Sequence, residues 1–200
     1  MAMPYQIPGA TAVGITFDNG VVLAAEKRVS YGTHLVSRSG KKVFKLTDTV
    51  GAVAAGMISD MNILMREVTA HAKILQLETN QPVLPNSIAK LMGVIMYQQK
   101  FFPMMTQIIL AGIENKKPAV YVLDPLGSVI PDEYATVGTG AELAIGVVES
   151  EYKKNLSEKE AVDLAIKSIR SAVNRDAASG DGIDILIVTE NEIREQSEKT

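Results

Sequence analysis

Few side chains in this sequence have the chemistry that common hydrolase sites require. It contains no cysteine, which excludes disulfides and thiolate catalysis and removes the commonest zinc ligand. The only histidines are His34, in a short strand-like stretch, and His71, in the middle of a predicted helix. Both are predicted to be structural, so a hydrolase based on a serine–histidine or cysteine–histidine pair is poorly supported. We predict no cofactor and no metal.

The composition indicates one compact domain. The chain has 200 residues, 46% of them hydrophobic, and a net charge of −3 with acidic and basic residues interspersed. This charge pattern argues against a nucleic-acid partner. No apolar run reaches the roughly 18 residues that a membrane helix needs, so no membrane partner is expected. The N-terminus lacks the charged start and apolar core of a secretory signal, which favours a cytoplasmic protein.

The first third of the chain is predicted to form strands. Residues 12–17 and 21–26 flank Asp18, Asn19 and Gly20, a strong hairpin signal because Asn-Gly tolerates positive φ at both turn positions. Residues 50–55 are small and apolar, as in a strand that is buried on both faces. The strand ending at Glu26 is followed by Lys27 and Arg28, which we expect to be solvated.

The rest of the sequence alternates between helix pairs and strands. Helices are predicted over 59–78, from 85 to Pro103, over 141–152, and after a capping box formed by Ser157 and Glu160. Strands are predicted at 107–113, 119–123, 134–137 and 183–188, and residues 190–200 are expected to be a loose polar tail. This order lacks β–α–β alternation, so antiparallel sheets covered by helix pairs fit better than a parallel sheet.

Eight short segments, in order along nearly the whole chain, carry a family resemblance. They lie at 11–28, 40–42, 54–56, 102–112, 121–127, 138–140, 146–152 and 175–182. In this order and spacing the sequence resembles β subunits of the archaeal-type 20S proteasome, which are threonine peptidases of the N-terminal nucleophile hydrolase superfamily. The resemblance implies an α+β fold, a four-layer αββα sandwich of two antiparallel sheets flanked by helix pairs. It divides the chain into a short leader (1–10), a single domain (11–189) and the polar tail (190–200).

In that family, an N-terminal threonine attacks with its hydroxyl and uses its own α-amine as the base. A buried lysine lowers the pKa of the hydroxyl, an acidic residue holds the lysine, and a glycine N–H stabilises the oxyanion. The resemblance assigns the lysine to Lys42, the acid to Glu26 and the oxyanion donor to Gly56. The supporting polar residues would be Thr139, Asp176 and Ser179, with Thr139 in the place of the family's usual serine.

The nucleophile position is where this sequence departs from the family. Ala10 precedes Glu26 by sixteen residues and Lys42 by thirty-two, which are the family's spacings, so Ala10 occupies the position of the nucleophilic threonine. An alanine has no hydroxyl to attack with. Thr11 is the alternative nucleophile, but successive strand residues point to opposite faces, so Thr11 is expected to point away from Lys42. A third possibility is that Ala10 is an engineered replacement of a natural threonine.

The leading prediction is a structural β subunit that does not cut peptides. The resemblance implies these partners: a seven-membered β ring shared with an active β subunit, the α-subunit ring, indirectly an ATPase regulator, and unfolded protein substrates. A substrate pocket would be lined by Val29, Gly40, Phe44 and Ala54, an apolar set suited to hydrophobic side chains. The simpler bacterial two-ring relative is disfavoured by the segment 180–184 and by the chain beyond Ile187.

Overall fold

Two five-stranded antiparallel sheets form the centre of the molecule, whose computed structural model describes residues 8–199. The strands of the first sheet are β1 (Thr11–Phe17), β2 (Gly20–Glu26), β10 (Tyr134–Gly138), β11 (Ile183–Thr189) and β12 (Ile193–Glu198). Those of the second sheet are β5 (Val43–Lys45), β6 (Val50–Gly56), β7 (Thr106–Glu114), β8 (Lys117–Leu123) and β9 (Val129–Asp132). The first sheet has the order β10-β1-β2-β11-β12, and the second has the order β5-β6-β7-β8-β9. The strands β3 (Val29–Tyr31) and β4 (His34–Ser37) pair with each other.

Four helices within the described residues cover the outer faces of the two sheets. They are α1 (Ile58–Thr79), α2 (Pro85–Gln98), α3 (Ala141–Glu151) and α4 (Glu158–Val173). Helices α1 and α2 pack on the second sheet, α3 and α4 pack on the first, and a third apolar cluster lies between the sheets. The predicted α+β, four-layer αββα architecture is confirmed, and it is consistent with the N-terminal nucleophile hydrolase fold.

The β1–β2 hairpin forms where the sequence predicts it, but with a different turn. Phe17 pairs with Gly20, which leaves Asp18 and Asn19 as the two turn residues. Neither Asn19 nor Gly20 has a positive φ, so the predicted turn geometry is wrong. A Cβ on Gly20 would lie 2.3 Å from the carbonyl oxygen of Val188, so the glycine is required for close strand packing rather than for turn geometry.

Helix α4 begins at the predicted capping box. The Ser157 hydroxyl accepts a hydrogen bond from the Glu160 N–H, and the Glu160 carboxylate accepts one from the Ser157 N–H at 2.8 Å. These two bonds satisfy donors that the first turn of a helix leaves unpaired. The helix then leads to the loop 174–182, which carries two predicted site residues.

The C-terminal segment is not a loose tail. Residues 193–198 form β12, which pairs with β11 from Val188–Ile193 to Ile183–Glu198. Its side chains are mostly exposed, because an edge strand needs only its backbone groups to extend the sheet. The polar composition of residues 190–200, from which we predicted a tail, therefore belongs mainly to an edge strand. At the other end, most of the predicted leader lies outside the described residues, and residues 8–10 are buried.

Candidate active site

Glu26 is the centre of one buried hydrogen-bond cluster at the end of β2. Its Oε1 accepts hydrogen bonds from the Lys42 ammonium and, at 3.4 Å, from the Thr11 N–H. Its Oε2 accepts from the backbone N–H groups of Arg28 at 2.7 Å and Gly180 at 2.9 Å. The carboxylate therefore joins the start of β1, the end of β2, the lysine before β5 and the loop after α4.

The Glu26–Lys42 pair is almost wholly removed from water. Burial raises the pKa of Glu26, and the charge and hydrogen bond of Lys42 partly oppose that rise. Burial likewise lowers the pKa of Lys42, opposed by the charge of Glu26. Lys42 also donates to the carbonyl oxygen of Arg28 at 2.5 Å. An ammonium with a lowered pKa releases its proton more readily than a surface lysine, which suits a role in proton transfer.

Asp176 is the centre of a second polar cluster. Its Oδ2 accepts from the hydroxyls of Thr139 at 2.6 Å and Ser179 at 2.8 Å, and its Oδ1 accepts from the Ala178 N–H at 3.0 Å. The Thr139 hydroxyl in turn accepts a hydrogen bond from the Ala10 N–H at 3.2 Å. Thr139 and Ser179 thus both contact Asp176, and Thr139 also contacts the backbone of Ala10, the predicted nucleophile position.

Ala10 and Thr11 lie on opposite faces of the strand. Ala10 belongs to the apolar cluster between the sheets, together with Ala12 and Ala55. The Thr11 hydroxyl lies 2.7 Å from the hydroxyl of Ser179, on the side of the loop after α4. This is the arrangement that strand alternation predicts. Thr11 links the two polar clusters, because its N–H reaches Glu26 and its hydroxyl reaches Ser179.

Gly56 ends β6 in a backbone conformation that favours glycine. Its φ is +135°, and a Cβ there would lie 2.1 Å from the carbonyl oxygen of Met105. The residue lines a cavity of about 480 Å³ together with Ala55, Gly138 and Thr139. The predicted oxyanion donor is therefore next to an open space near the nucleophile position, and its catalytic role stays a prediction.

Two of the predicted pocket residues, Val29 and Gly40, lie close together, and Ile58, which the sequence analysis did not name, lies near Gly40. A Cβ on Gly40 would lie 2.3 Å from Val29 Cγ2 and 3.8 Å from Ile58 Cδ1. Phe44 and Ile58 pack against the apolar cluster that contains Ala54. Ile58 is the first residue of α1 and lies two positions after Gly56 in the sequence. That closeness to a predicted site residue was the one sequence signal that could have pointed to it. Substrate binding by this set stays a prediction.

Arg28 is only partly exposed and contacts the loop after α4, which corrects the expectation that it is solvated. Its Nε donates to Asp181 Oδ2 at 2.7 Å, and its Nη1 donates to the carbonyl oxygen of Ala177 at 2.8 Å. The guanidinium therefore fixes the loop that carries Asp176 and Ser179. Lys27 pairs with Asp184 at 3.1 Å and is likewise only partly exposed.

Residues 8–199 contain no group of three or more acidic or histidine side chains arranged to hold a metal ion. None of the helices in this part of the chain combines the length and hydropathy that crossing a membrane would take.

Comparison with known proteins decides the family. A family model described as "Proteasome subunit" matches residues 8–188. The chain belongs to the proteasome subunit family. It is 51% identical to "Proteasome subunit beta 1" of Nitrosopumilus maritimus (strain SCM1), over 98% of this chain and 99% of that protein. It is 53% identical to "Proteasome subunit beta 1" of Cenarchaeum symbiosum (strain A), over 94% of this chain and 97% of that protein.

A third archaeal protein, "Proteasome subunit beta 2" of Thermofilum pendens (strain DSM 2475 / Hrk 5), is 46% identical over 91% of this chain and 89% of its own length. The resemblance to archaeal-type proteasome β subunits is thereby confirmed.

Proposed function

We propose that this proteasome β subunit contributes to the 20S core as a structural subunit that does not cleave peptides itself. The observation that carries the proposal is the alanine at position 10, which precedes Glu26 and Lys42 at the family's spacings and offers a methyl group where peptide hydrolysis would need a hydroxyl. Its N–H donates to Thr139 and its side chain lies in the apolar cluster between the sheets. Neither the self-cleavage that frees the N-terminus nor peptide hydrolysis can proceed without a nucleophile there.

The geometry of Thr11 supports the same proposal. Its hydroxyl is fully buried and hydrogen-bonded to Ser179, on the opposite face of β1 from Ala10. Its backbone pairs with Gly138 and Ala12 pairs with Ala25, so β1 is paired in register from its first residues. Using Thr11 as a nucleophile requires this strand end to rotate, breaking the contacts with both Glu26 and Ser179.

The remaining site residues then have a structural task. Glu26 and Lys42 tie four backbone segments together, and Asp176 holds the chain at Ala10 through Thr139. In this proposal the chain takes one position in a seven-membered β ring that also contains an active β subunit. That ring stacks on an α-subunit ring, works with an ATPase regulator on unfolded proteins, and lies in the cytoplasm.

The test is to supply the missing hydroxyl. The chain is assembled with its ring partners, whose own nucleophiles are replaced so that any hydrolysis arises from this chain. We expect no cleavage of fluorogenic peptides by the unchanged chain. We expect the Ala10→Thr variant to lose its leader and to hydrolyse peptides, because Lys42, Glu26 and Asp176 are already in place.

Two matched variants identify the source of the activity. Ala10→Thr combined with Thr11→Ala is expected to remain active, whereas Ala10→Thr combined with Lys42→Met is expected to be inactive. Hydrolysis by the unchanged chain that disappears in Thr11→Ala would overturn the proposal and establish an active threonine peptidase. Failure of Ala10→Thr to cleave would show that the pocket has lost more than its nucleophile.

A further inference from the structure

The start of α1 holds Met105 by both of its backbone groups. The Met57 N–H donates to the Met105 carbonyl oxygen at 2.7 Å, and Asp60 Oδ2 accepts a hydrogen bond from the Met105 N–H at 2.8 Å. Met57 directly precedes the helix, and Asp60 lies in its first turn. The bond to Asp60 joins residues 45 positions apart, so it fixes the start of β7 relative to the end of β6.

Asp60 uses its carboxylate for a contact outside its own helix. An acidic side chain at the third position of a helix can accept the N–H of the residue before the helix, which completes a capping box. Here that N–H belongs to Met57 and is donated to Met105 instead. Oδ1 of Asp60 accepts from the Ser59 hydroxyl at 3.3 Å, and Oδ2 is directed at Met105. The carboxylate therefore stabilises the junction between α1 and β7.

The carbonyl group of Met105 in turn restricts Gly56. A Cβ on Gly56 would lie 2.1 Å from that oxygen and 2.8 Å from Thr106 Cα, so the two strand ends meet closely here. Gly56 has φ +135°, a conformation that glycine adopts far more readily than other residues. Because φ is the rotation about the N–Cα bond, a shift of Met105 would turn the N–H of Gly56 relative to the rest of the chain.

The N–H of Gly56 lies on the side of β6 that faces the segment carrying Lys42. Two residues earlier in the strand, the Ala54 N–H donates to the Lys42 carbonyl oxygen at 3.0 Å. Backbone N–H groups two residues apart in a strand point in the same direction. The predicted oxyanion donor is therefore directed toward the side of the strand on which the predicted catalytic lysine lies.

The start of β7 also holds the backbone next to Ala10. The Gln107 side chain accepts a hydrogen bond from the Gly138 N–H at 2.9 Å, and a Cβ on Gly138 would lie 2.0 Å from the Ala10 carbonyl oxygen. Gly56, Gly138 and Met105 line the same cavity of about 480 Å³. One short segment, fixed by Asp60, thus contacts the backbones on both sides of the space next to the nucleophile position.

We propose that Asp60 is a positioning residue, which holds Met105 so that the Gly56 N–H keeps the orientation that an oxyanion donor needs. Asp60 itself touches neither a substrate nor the reacting atoms. In the unchanged chain this contact keeps the donor in place beside an alanine. The inference rests on the proposed function in one respect, because hydrolysis by this chain is measured only after the nucleophile is restored by Ala10→Thr.

Steady-state kinetics test the positioning role in the Ala10→Thr background, in particles whose partner nucleophiles are replaced. We expect Asp60→Ala to lower kcat by about 10- to 100-fold and to leave KM within about twofold, because a misplaced oxyanion donor weakens binding of the transition state alone. Asp60→Asn should keep kcat within about threefold, since its amide oxygen can still accept the Met105 N–H. Equal losses in the two variants, or a change in KM alone, would overturn the inference.

Thr16→Val is the matched control for the loss of one side-chain hydrogen bond. The Thr16 hydroxyl lies 2.8 Å from the Tyr152 hydroxyl, toward the end of β1 that is far from Ala10. We expect Thr16→Val to leave kcat and KM within about twofold of the Ala10→Thr values. A fall in kcat as large as that of Asp60→Ala would mean that any loosening of the fold slows hydrolysis, and it would overturn the inference.

Amide hydrogen exchange gives a second measurement that needs no catalysis. With Ala10 in place, Asp60→Ala should speed exchange of the Met57 amide, which donates to Met105, by about tenfold, and Asp60→Asn should not. If Ala10→Thr does not cleave peptides, this exchange decides the inference. Unchanged exchange at Met57 in Asp60→Ala would then overturn it, whereas the proposed structural role is judged separately, by whether the unchanged chain hydrolyses peptides through Thr11.

Discussion

The hydroxyl of Thr11 lies 2.7 Å from the hydroxyl of Ser179, on the side of the first strand that faces the loop after α4. Because Thr11 points toward the loop after α4, its neighbour Ala10 points between the sheets. The single threonine at the junction therefore contacts Ser179, whereas Ala10, the predicted nucleophile position, directs its methyl group into the apolar cluster between the sheets.

Replacing Thr11 with valine should affect stability and not catalysis. The Thr11→Val variant keeps the shape of the side chain but removes a buried hydrogen bond, which costs about 1 kcal/mol in the free energy of unfolding. Urea denaturation of the purified chain measures the loss. In the Ala10→Thr background, peptide hydrolysis should persist within about threefold, since the valine leaves Lys42 and Glu26 in place. Complete loss of hydrolysis there would show that the Thr11 hydroxyl takes part in the reaction.

Breaking the buried Glu26–Lys42 pair should be costly. The Lys42→Met variant leaves the Glu26 carboxylate buried without its counter-charge, and such single replacements cost about 3–5 kcal/mol. The double variant Lys42→Met with Glu26→Gln should lose less free energy of unfolding than the two single variants lose in sum, because no buried charge remains. Additive losses in a double-mutant cycle would contradict the coupling.

The same pair predicts a pH dependence. Burial already raises the pKa of Glu26 in the folded chain, and removing Lys42 raises it further. A folded-state pKa above the unfolded value gives stability that is present at acidic pH and is lost as the pH rises through the folded pKa. The Lys42→Met variant is less stable than the unchanged chain, and this difference in the free energy of unfolding should be smaller at about pH 4 than at about pH 7. Urea titrations at the two pH values measure it, and an equal deficit at both would contradict the assignment.

Replacing each of two glycines with alanine should change the stability of the chain in opposite directions. Gly56→Ala forces a side chain into φ +135° and against the carbonyl of Met105, which should cost about 1–3 kcal/mol. Gly146 lies within α3, and a Cβ there meets nothing within 4 Å. Gly146→Ala should therefore stabilise the chain by about 0.5–1 kcal/mol through helix propensity. Thermal unfolding of the two variants gives the comparison, and equal effects would be inconsistent with the strain at Gly56.

Arg28 should contribute more to the stability of the fold than its exposed neighbour Arg38. Arg28→Gln removes charge-assisted hydrogen bonds to Asp181 and Ala177 and should cost about 2 kcal/mol. Arg38 is 75% exposed in its side chain and lies 3.9 Å from Asp181, so Arg38→Gln should change stability by less than about 0.5 kcal/mol. Hydrogen exchange at Ser179 and Gly180 reports whether the loop loosens specifically in Arg28→Gln. If the two variants behave alike, Arg28 does not fix the loop.

Sequence reasoning was strongest where periodicity or family spacing determines the structure. The helices, the β1–β2 hairpin and the Ser157–Glu160 capping box follow from local patterns. The contact of Asp176 with Thr139 joins residues 37 positions apart, and its members were named only because the family resemblance supplied them.

What the sequence did not predict depends on tertiary context. The strand β12 is polar because only one edge of it pairs, and polarity alone does not distinguish an edge strand from a tail. Arg28 follows Lys27 at the end of a strand, where charged residues are usually solvated. Its hydrogen-bond acceptors nevertheless come from a loop about 149 residues later in the chain. Ile58 was not among the predicted pocket residues, and only the fold brings its Cδ1 within 3.8 Å of the position that a Cβ on Gly40 would take.

The most direct test of the central claim is the N-terminus of this chain inside an assembled particle. Intact-mass measurement and N-terminal peptide mapping of the particle, with active partner subunits present, report whether any bond near Ala10 has been cut. The account predicts that the bonds on both sides of Ala10 remain intact while the active partners lose their leaders. A mature chain that begins at Thr11, with peptide hydrolysis that Thr11→Ala abolishes, would contradict it.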